Sequence, residues 1–259
     1  MTLPYCRKHL PALLFLFAAL AATGLHFAAQ AQSSCSSDGV TAPSSITERF
    51  FSADCTDCWA AKTDDADKTA AVLDWIVPSP AGDAAALSAA ATRDAIYRLQ
   101  ALQMGSPTNS TSTHSTPVKR LAPYTLRVAM GQPVSGYMGT SIELKNLPPF
   151  AKRPQEEWTS TLVLVEALPA GAEGNTAPRF MVRNSQISTW NMREQLLKAE
   201  QIPGKKTAQH SSAVTTRQFF DSRPMGVPAG TQHGRLQLLG WVQDAQGRVV
   251  AAAQSRCVQ

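Results

Sequence analysis

Ile46-Thr47-Glu48-Arg49-Phe50-Phe51-Ser52-Ala53-Asp54-Cys55-Thr56-Asp57-Cys58 sets a strand-like run directly before a Cys-x-x-Cys pair. Residues 46–52 end at Ala53-Asp54, and the residues from Cys55 to Ala61 can open a short helix. That order carries chemistry. At a helix start the first sulfur meets unpaired N–H groups that stabilise a thiolate, while the second can reach back and resolve a mixed disulfide. Cys55 is therefore the candidate attacking residue and Cys58 the candidate resolving one, with Trp59 expected either beside the pair or filling the core beneath it. Asp54 and Asp57 act against this, because nearby carboxylates oppose thiolate formation and no Lys, Arg or His lies inside the motif. A closed disulfide that only pins a turn is the competing expectation.

Outward from the pair, residues 71–77 (AVLDWIV) read as a buried strand stopped by Pro78 and Pro80. Residues 83–104 read as an Ala-rich helix with Leu87, Ala91, Ala95, Tyr97, Leu99 and Leu102 near one stripe. Residues 106–117 (SPTNSTSTHSTP) lack any large apolar residue and read as a linker over 106–119. Beyond them lie paired strand signals at 124–130 and 134–144, at 160–168 and 179–187, and at 234–243 and 248–254, with one helix over 191–201. The fold expected is α+β. A short thioredoxin-like α/β unit over 46–105 precedes an antiparallel β-sandwich-like domain over 120–259.

The amino terminus reads as an export signal over residues 1–31. Arg7 and Lys8 precede an almost wholly apolar run from Leu10 to Leu25, and Ala29-Gln30-Ala31 has a small-x-small cleavage shape. An uncleaved anchor is the alternative; after cleavage no segment is apolar for long enough to span a bilayer. Four cysteines then remain, Cys35, Cys55, Cys58 and Cys257, and in an oxidising compartment they allow three connectivities. The favoured one joins Cys55 to Cys58 and Cys35 to Cys257.

Of the 259 residues 44% are hydrophobic and 17% charged, which excludes a disordered polyelectrolyte, a collagen-like repeat and a disulfide-dense miniprotein. Ten acids and five bases fall between residues 32 and 105, against nine acids and seventeen bases after them. The basic residues of the second half are scattered, with no Arg-rich helix or aromatic RNA-binding motif, so no nucleic-acid partner is expected. Zinc held by Cys55, Cys58, His210 and His233, or copper(I) held by the two cysteines, lacks a supporting ligand spacing, and no cofactor is expected.

The run from Glu48 to Cys58 resembles the strand and Cys-x-x-Cys of a secreted thioredoxin-like family of unknown function from Gram-negative bacteria. Residues 161–168, 179–184 and 238–254 resemble the strand order and closing hairpin of that family's β-rich C-terminal domain. The resemblance implies thiol-disulfide chemistry and a cis-proline facing the cysteines, for which Pro123 in Leu121-Ala122-Pro123-Tyr124 is the best counterpart and Pro117 the second. The function expected is thiol-disulfide exchange in the periplasm or outside the cell with unidentified protein thiols. The alternative is a non-catalytic envelope binding or scaffold protein in which the cysteine pair is structural.

Overall fold

The seam between the two halves of the chain is narrow. In a computed structural model of the protein, strand β3 (Ala70–Val77) pairs in parallel with β2 (Ser45–Ser52) along its whole length, and on its other side meets β8 (Arg179–Asn191) in parallel only at Asp74↔Met181. The structure describes residues 35–62, 67–121, 123–147, 157–191 and 218–257. The proposed signal segment, His210 and the helix expected over 191–201, apart from Asn191 itself, lie outside them.

Through that seam the N-terminal strands join a seven-stranded sheet. It runs β11 (Val249–Gln254), β10 (Leu236–Gln243), β7 (Glu157–Leu168), β8, β3, β2 and β4 (Ser112–Pro117). A five-stranded sheet runs β12 (Arg256–Cys257), β1 (Cys35–Ser36), β5 (Thr125–Met130), β6 (Tyr137–Lys145) and β9 (Gln218–Gly226). The α+β expectation is thus overturned: the chain is mostly β, and no thioredoxin-like α/β unit is present among the described residues. Among these residues the α-helices are α1 (Thr56–Ala60), five residues long, and α2 (Arg93–Ala101), nine. Such helices cannot cover both faces of a sheet, so β2 and β3 borrow the C-terminal strands to complete theirs.

Two local readings change for related reasons. The Ser/Thr-rich stretch expected as a linker forms β4, an antiparallel edge strand on β2 with Glu48 opposite His114. Thr and Ser suit a half-exposed edge that needs no apolar face. The helix expected over 83–104 is broken into two single 3-10 turns, Gly82–Ala84 and Ser88–Ala90, before α2 begins. Thr92 is extended and its side chain accepts the N–H of Ala95, which delays the helix start. The three C-terminal strand pairs expected from the sequence form antiparallel β5–β6, β7–β8 and β10–β11.

The core has two sides. Between the sheets lie Val128, Ile142, Phe219, Leu162, Leu164, Leu238 and Val250, with the Trp190 ring stacked on Phe219 at 4.8 Å. Gly240 of β10 lies where the two sheets approach each other closely. A Cβ there would lie 2.6 Å from Val128 Cγ1 and 3.0 Å from Ile142 Cδ1. On the opposite face of the seven-stranded sheet, Ala95 and Leu99 of α2 cover Trp75, Val163, Val165 and Trp241.

Buried charge runs through this second side. Arg98 of α2 holds the fully buried Glu48 through Nε at 2.8 Å and Nη2 at 2.6 Å, and Glu48 also accepts from Trp75 Nε1. Arg49 holds the fully buried Asp74 through Nε at 2.6 Å and Nη2 at 2.9 Å, and the backbone N–H of Phe180 donates to the same carboxylate at 2.6 Å. Desolvation makes such groups costly unless all their partners are present.

Asp74→Ala is expected to destabilise the protein by about 3–5 kcal/mol in urea denaturation, since Arg49 is left buried and Phe180 loses its acceptor. A loss below about 1 kcal/mol would contradict the role assigned to Asp74. Gly240→Val is expected to cost about 1–3 kcal/mol through overpacking of the two sheets, read from the same transition.

Candidate functional site

The Cys-x-x-Cys pair sits where β2 ends. The N–H of Ala53 still donates to Val77 O, continuing the β2–β3 ladder, and Leu87 N–H caps Ala53 O. The chain then turns at Asp54 into α1, for which Cys55 is the N-cap: its sulfur accepts the Cys58 N–H at 3.3 Å. Cys55 and Cys58 are joined in a disulfide with their Cα atoms 5.2 Å apart, and both are half-buried, while Asp54, Thr56 and Asp57 are exposed.

Beneath the pair lies a small apolar cluster of Phe51, Ala53, Trp59, Ile76, Leu168 and Met181, against which Cys58 packs. Trp59 is its centre. It is 1% exposed, meets Phe51 edge-on at 5.5 Å, and donates its indole N–H to Glu173 O at 2.9 Å. The loop over residues 169–178, which joins β7 to β8, therefore faces α1.

Arg179 closes the site from below. It is 0% exposed, and its guanidinium carbon lies 5.0 Å from the Phe51 ring centre and 5.1 Å from that of Trp59. Its Nη2 donates to Trp59 O at 2.6 Å and to Ala61 O at 2.5 Å, while the Thr176 hydroxyl donates to the carbonyl between them, that of Ala60. The end of α1 is thus held by β8 and its preceding loop. Sequence reasoning missed Arg179, which stands at the first position of an expected strand, where nothing local marks a charged residue for full burial.

The other sequence candidates are placed elsewhere. Cys35 and Cys257 are bonded to each other and are register partners of β1 and β12, with Cα atoms 4.0 Å apart and a sequence separation of 222. Pro123 is exposed and lines an open cleft of about 690 Å³ with Asp38, Arg120, Tyr124 and Arg127. Arg120 in that segment bonds Ala42 O and Pro43 O, ahead of β2, whereas the cysteine pair follows β2. Pro117 is likewise paired with Ser45 at the start of β2. The structure brings neither proline to the cysteines.

His233 lies in a single 3-10 turn before β10. Among the described residues no three His, Cys, Asp or Glu side chains converge as a metal site, and no helix is long and apolar enough to cross a membrane.

No protein-family model matches the chain, and no curated protein matches it in sequence. Among solved structures it is similar to HBP35 of Porphyromonas gingivalis, with a TM-score of 0.42 and 9% identity, over 83% of this chain and 76% of that one.

Trp59→Phe removes the indole N–H and part of the ring system but keeps an aromatic ring in the cluster, and is expected to cost about 1–2 kcal/mol, whereas Trp59→Ala empties the cluster under the cysteines and is expected to cost about 3–5 kcal/mol. Urea denaturation of both variants checks the pair of values, and equal effects would contradict the packing role.

Proposed function

We propose that the protein is exported and carries out thiol-disulfide exchange with protein thiols through Cys55 and Cys58. The observation that carries this reading is a half-exposed Cys-x-x-Cys disulfide at a strand end, with the first sulfur already accepting the second cysteine's N–H. That hydrogen bond also favours a Cys55 thiolate once the bond is opened.

The magnitudes separate the two disulfides. In the chain-entropy account, the Cys35–Cys257 bond, with a sequence separation of 222, stabilises by about 5 kcal/mol, whereas a bond separated by three residues contributes about 2 kcal/mol. The short bond closes a turn that Arg179 and Thr176 already hold at its other end, so it adds little as a staple. The first 31 residues, read as an export signal, would deliver the chain to a compartment where both bonds persist.

A scaffold in which the pair stays closed is the second reading, favoured by the exposed Asp54 and Asp57 that flank Cys55 and oppose its ionisation. The full chain is expected to reduce insulin in the presence of dithiothreitol and to have a Cys55–Cys58 potential between about −120 and −270 mV. Cys55→Ala is expected to abolish the insulin activity without loss of folded protein. A potential below about −300 mV, or activity unchanged in Cys55→Ala, would establish the scaffold reading instead.

A further inference from the structure

We propose that Arg179 is the positioning residue of the Cys55–Cys58 pair: its grip on the last carbonyls of α1 keeps the turn closed after the disulfide opens, so the two sulfurs stay within reach. The inference rests on the exchange reading above and names what governs how readily the pair recloses.

A helix of five residues has no stability of its own, because nucleation fixes several residues for each hydrogen bond gained. In the oxidised chain α1 is restrained at its start by the Cys55–Cys58 bond and at its end by Arg179 on Trp59 O and Ala61 O and Thr176 on Ala60 O. Reduction removes the first restraint and leaves the second, together with the buried Trp59 ring and its bond to Glu173 O, which anchor the middle of the turn but not its last carbonyls. Arg179 suits that task because packing fixes its place: it is fully buried, set on two aromatic rings, and paired across the β7–β8 ladder with Leu168. A lysine could supply the charge, but not a planar stack with two fixed donors.

Charge and position act on the equilibrium with opposite signs. A buried guanidinium favours a thiolate and so favours the reduced pair; it works against Asp54 and Asp57 on the turn and Glu173 on the facing loop, and shares its field with Asp74. If charge dominated, removing Arg179 would make the disulfide harder to reduce. Under the proposal its removal lowers the effective concentration of one sulfur at the other and makes the disulfide easier to reduce. The step concerned is closure. Having lost its proton to water, the Cys58 thiolate attacks the Cys55 sulfur of a mixed disulfide with glutathione. The Cys55–Cys58 bond forms as the bond to glutathione breaks, and glutathione leaves as a thiolate that takes a proton from water.

The test follows closure and the dithiol–disulfide equilibrium of the full chain in glutathione buffers, by acid quench, in the parent, Arg179→Met, Arg179→Lys and Thr176→Val. Both Arg179 variants are expected to close about tenfold more slowly and to shift the equilibrium about tenfold toward the dithiol, and Thr176→Val about two- to threefold. Parental closure in Arg179→Lys, or an equilibrium in Arg179→Met that is unchanged or moved toward the disulfide with native circular dichroism, would overturn the proposal. Thr176 is exposed, so its variant leaves the core intact, and unchanged closure there overturns the proposal where the Arg179 variants do not fold. Failure of the exchange reading is distinct: the parent then leaves insulin unreduced while its closure with glutathione remains measurable.

Discussion

One carboxylate holds the two halves of this molecule in a single sheet. Asp74 accepts two hydrogen bonds from Arg49 on β2 and one from the Phe180 N–H on β8, from the middle of β3. It stands at the one register position, opposite Met181, where β3 and β8 pair. A short parallel contact supplies few ladder bonds, so the charged junction carries what the backbone does not. The residue before Phe180 is Arg179, and α1 and its disulfide hang from that side chain. The line from Asp74 through β8 to the cysteines is therefore continuous, and the cysteine turn is supported by the distant half of the sequence.

Much of the β architecture was legible from local pattern. The alternation in residues 160–168, 179–187, 234–243 and 248–254 marks strands whose partners are adjacent in sequence, and hairpin pairing follows from short connections. The cysteine pair at a strand end was equally plain, because Cys-x-x-Cys and the apolar run before it are contiguous. What the pattern did not carry was which strands share a sheet. A parallel strand such as β3 looks the same whether its second neighbour comes from its own segment or from one a hundred residues later. The known logic of Cys-x-x-Cys folds pointed to a self-contained unit, and the α1 and α2 helices proved too short to make one.

The candidate site divides along the same line. Cys55, Cys58 and Trp59 belong to one stretch and were recognised together. Arg179, Glu173 and Thr176 reach them across more than a hundred residues through a backbone carbonyl or a ring face, contacts that leave no spacing to detect. Likewise residues 106–117 look like a linker by composition, since β4 within them is an edge strand with one face exposed and the other half-buried and needs no hydrophobic alternation. Pro123, the expected cis-proline, lies in a segment that runs past the start of β2, whereas the cysteines lie beyond the end of that strand.

The bond between Cys35 and Cys257 turns the described chain into a covalent ring, with β1 and β12 side by side at the edge of the five-stranded sheet. A ring has no privileged opening. A cut in an exposed turn such as that between β10 and β11 would give two pieces that remain one molecule, paired β10 to β11 and β1 to β12 and joined by the sulfur bridge. In a protease-rich compartment such a molecule survives its first nick, and the point at which it comes apart is set by reduction of that bridge rather than by the cleavage itself.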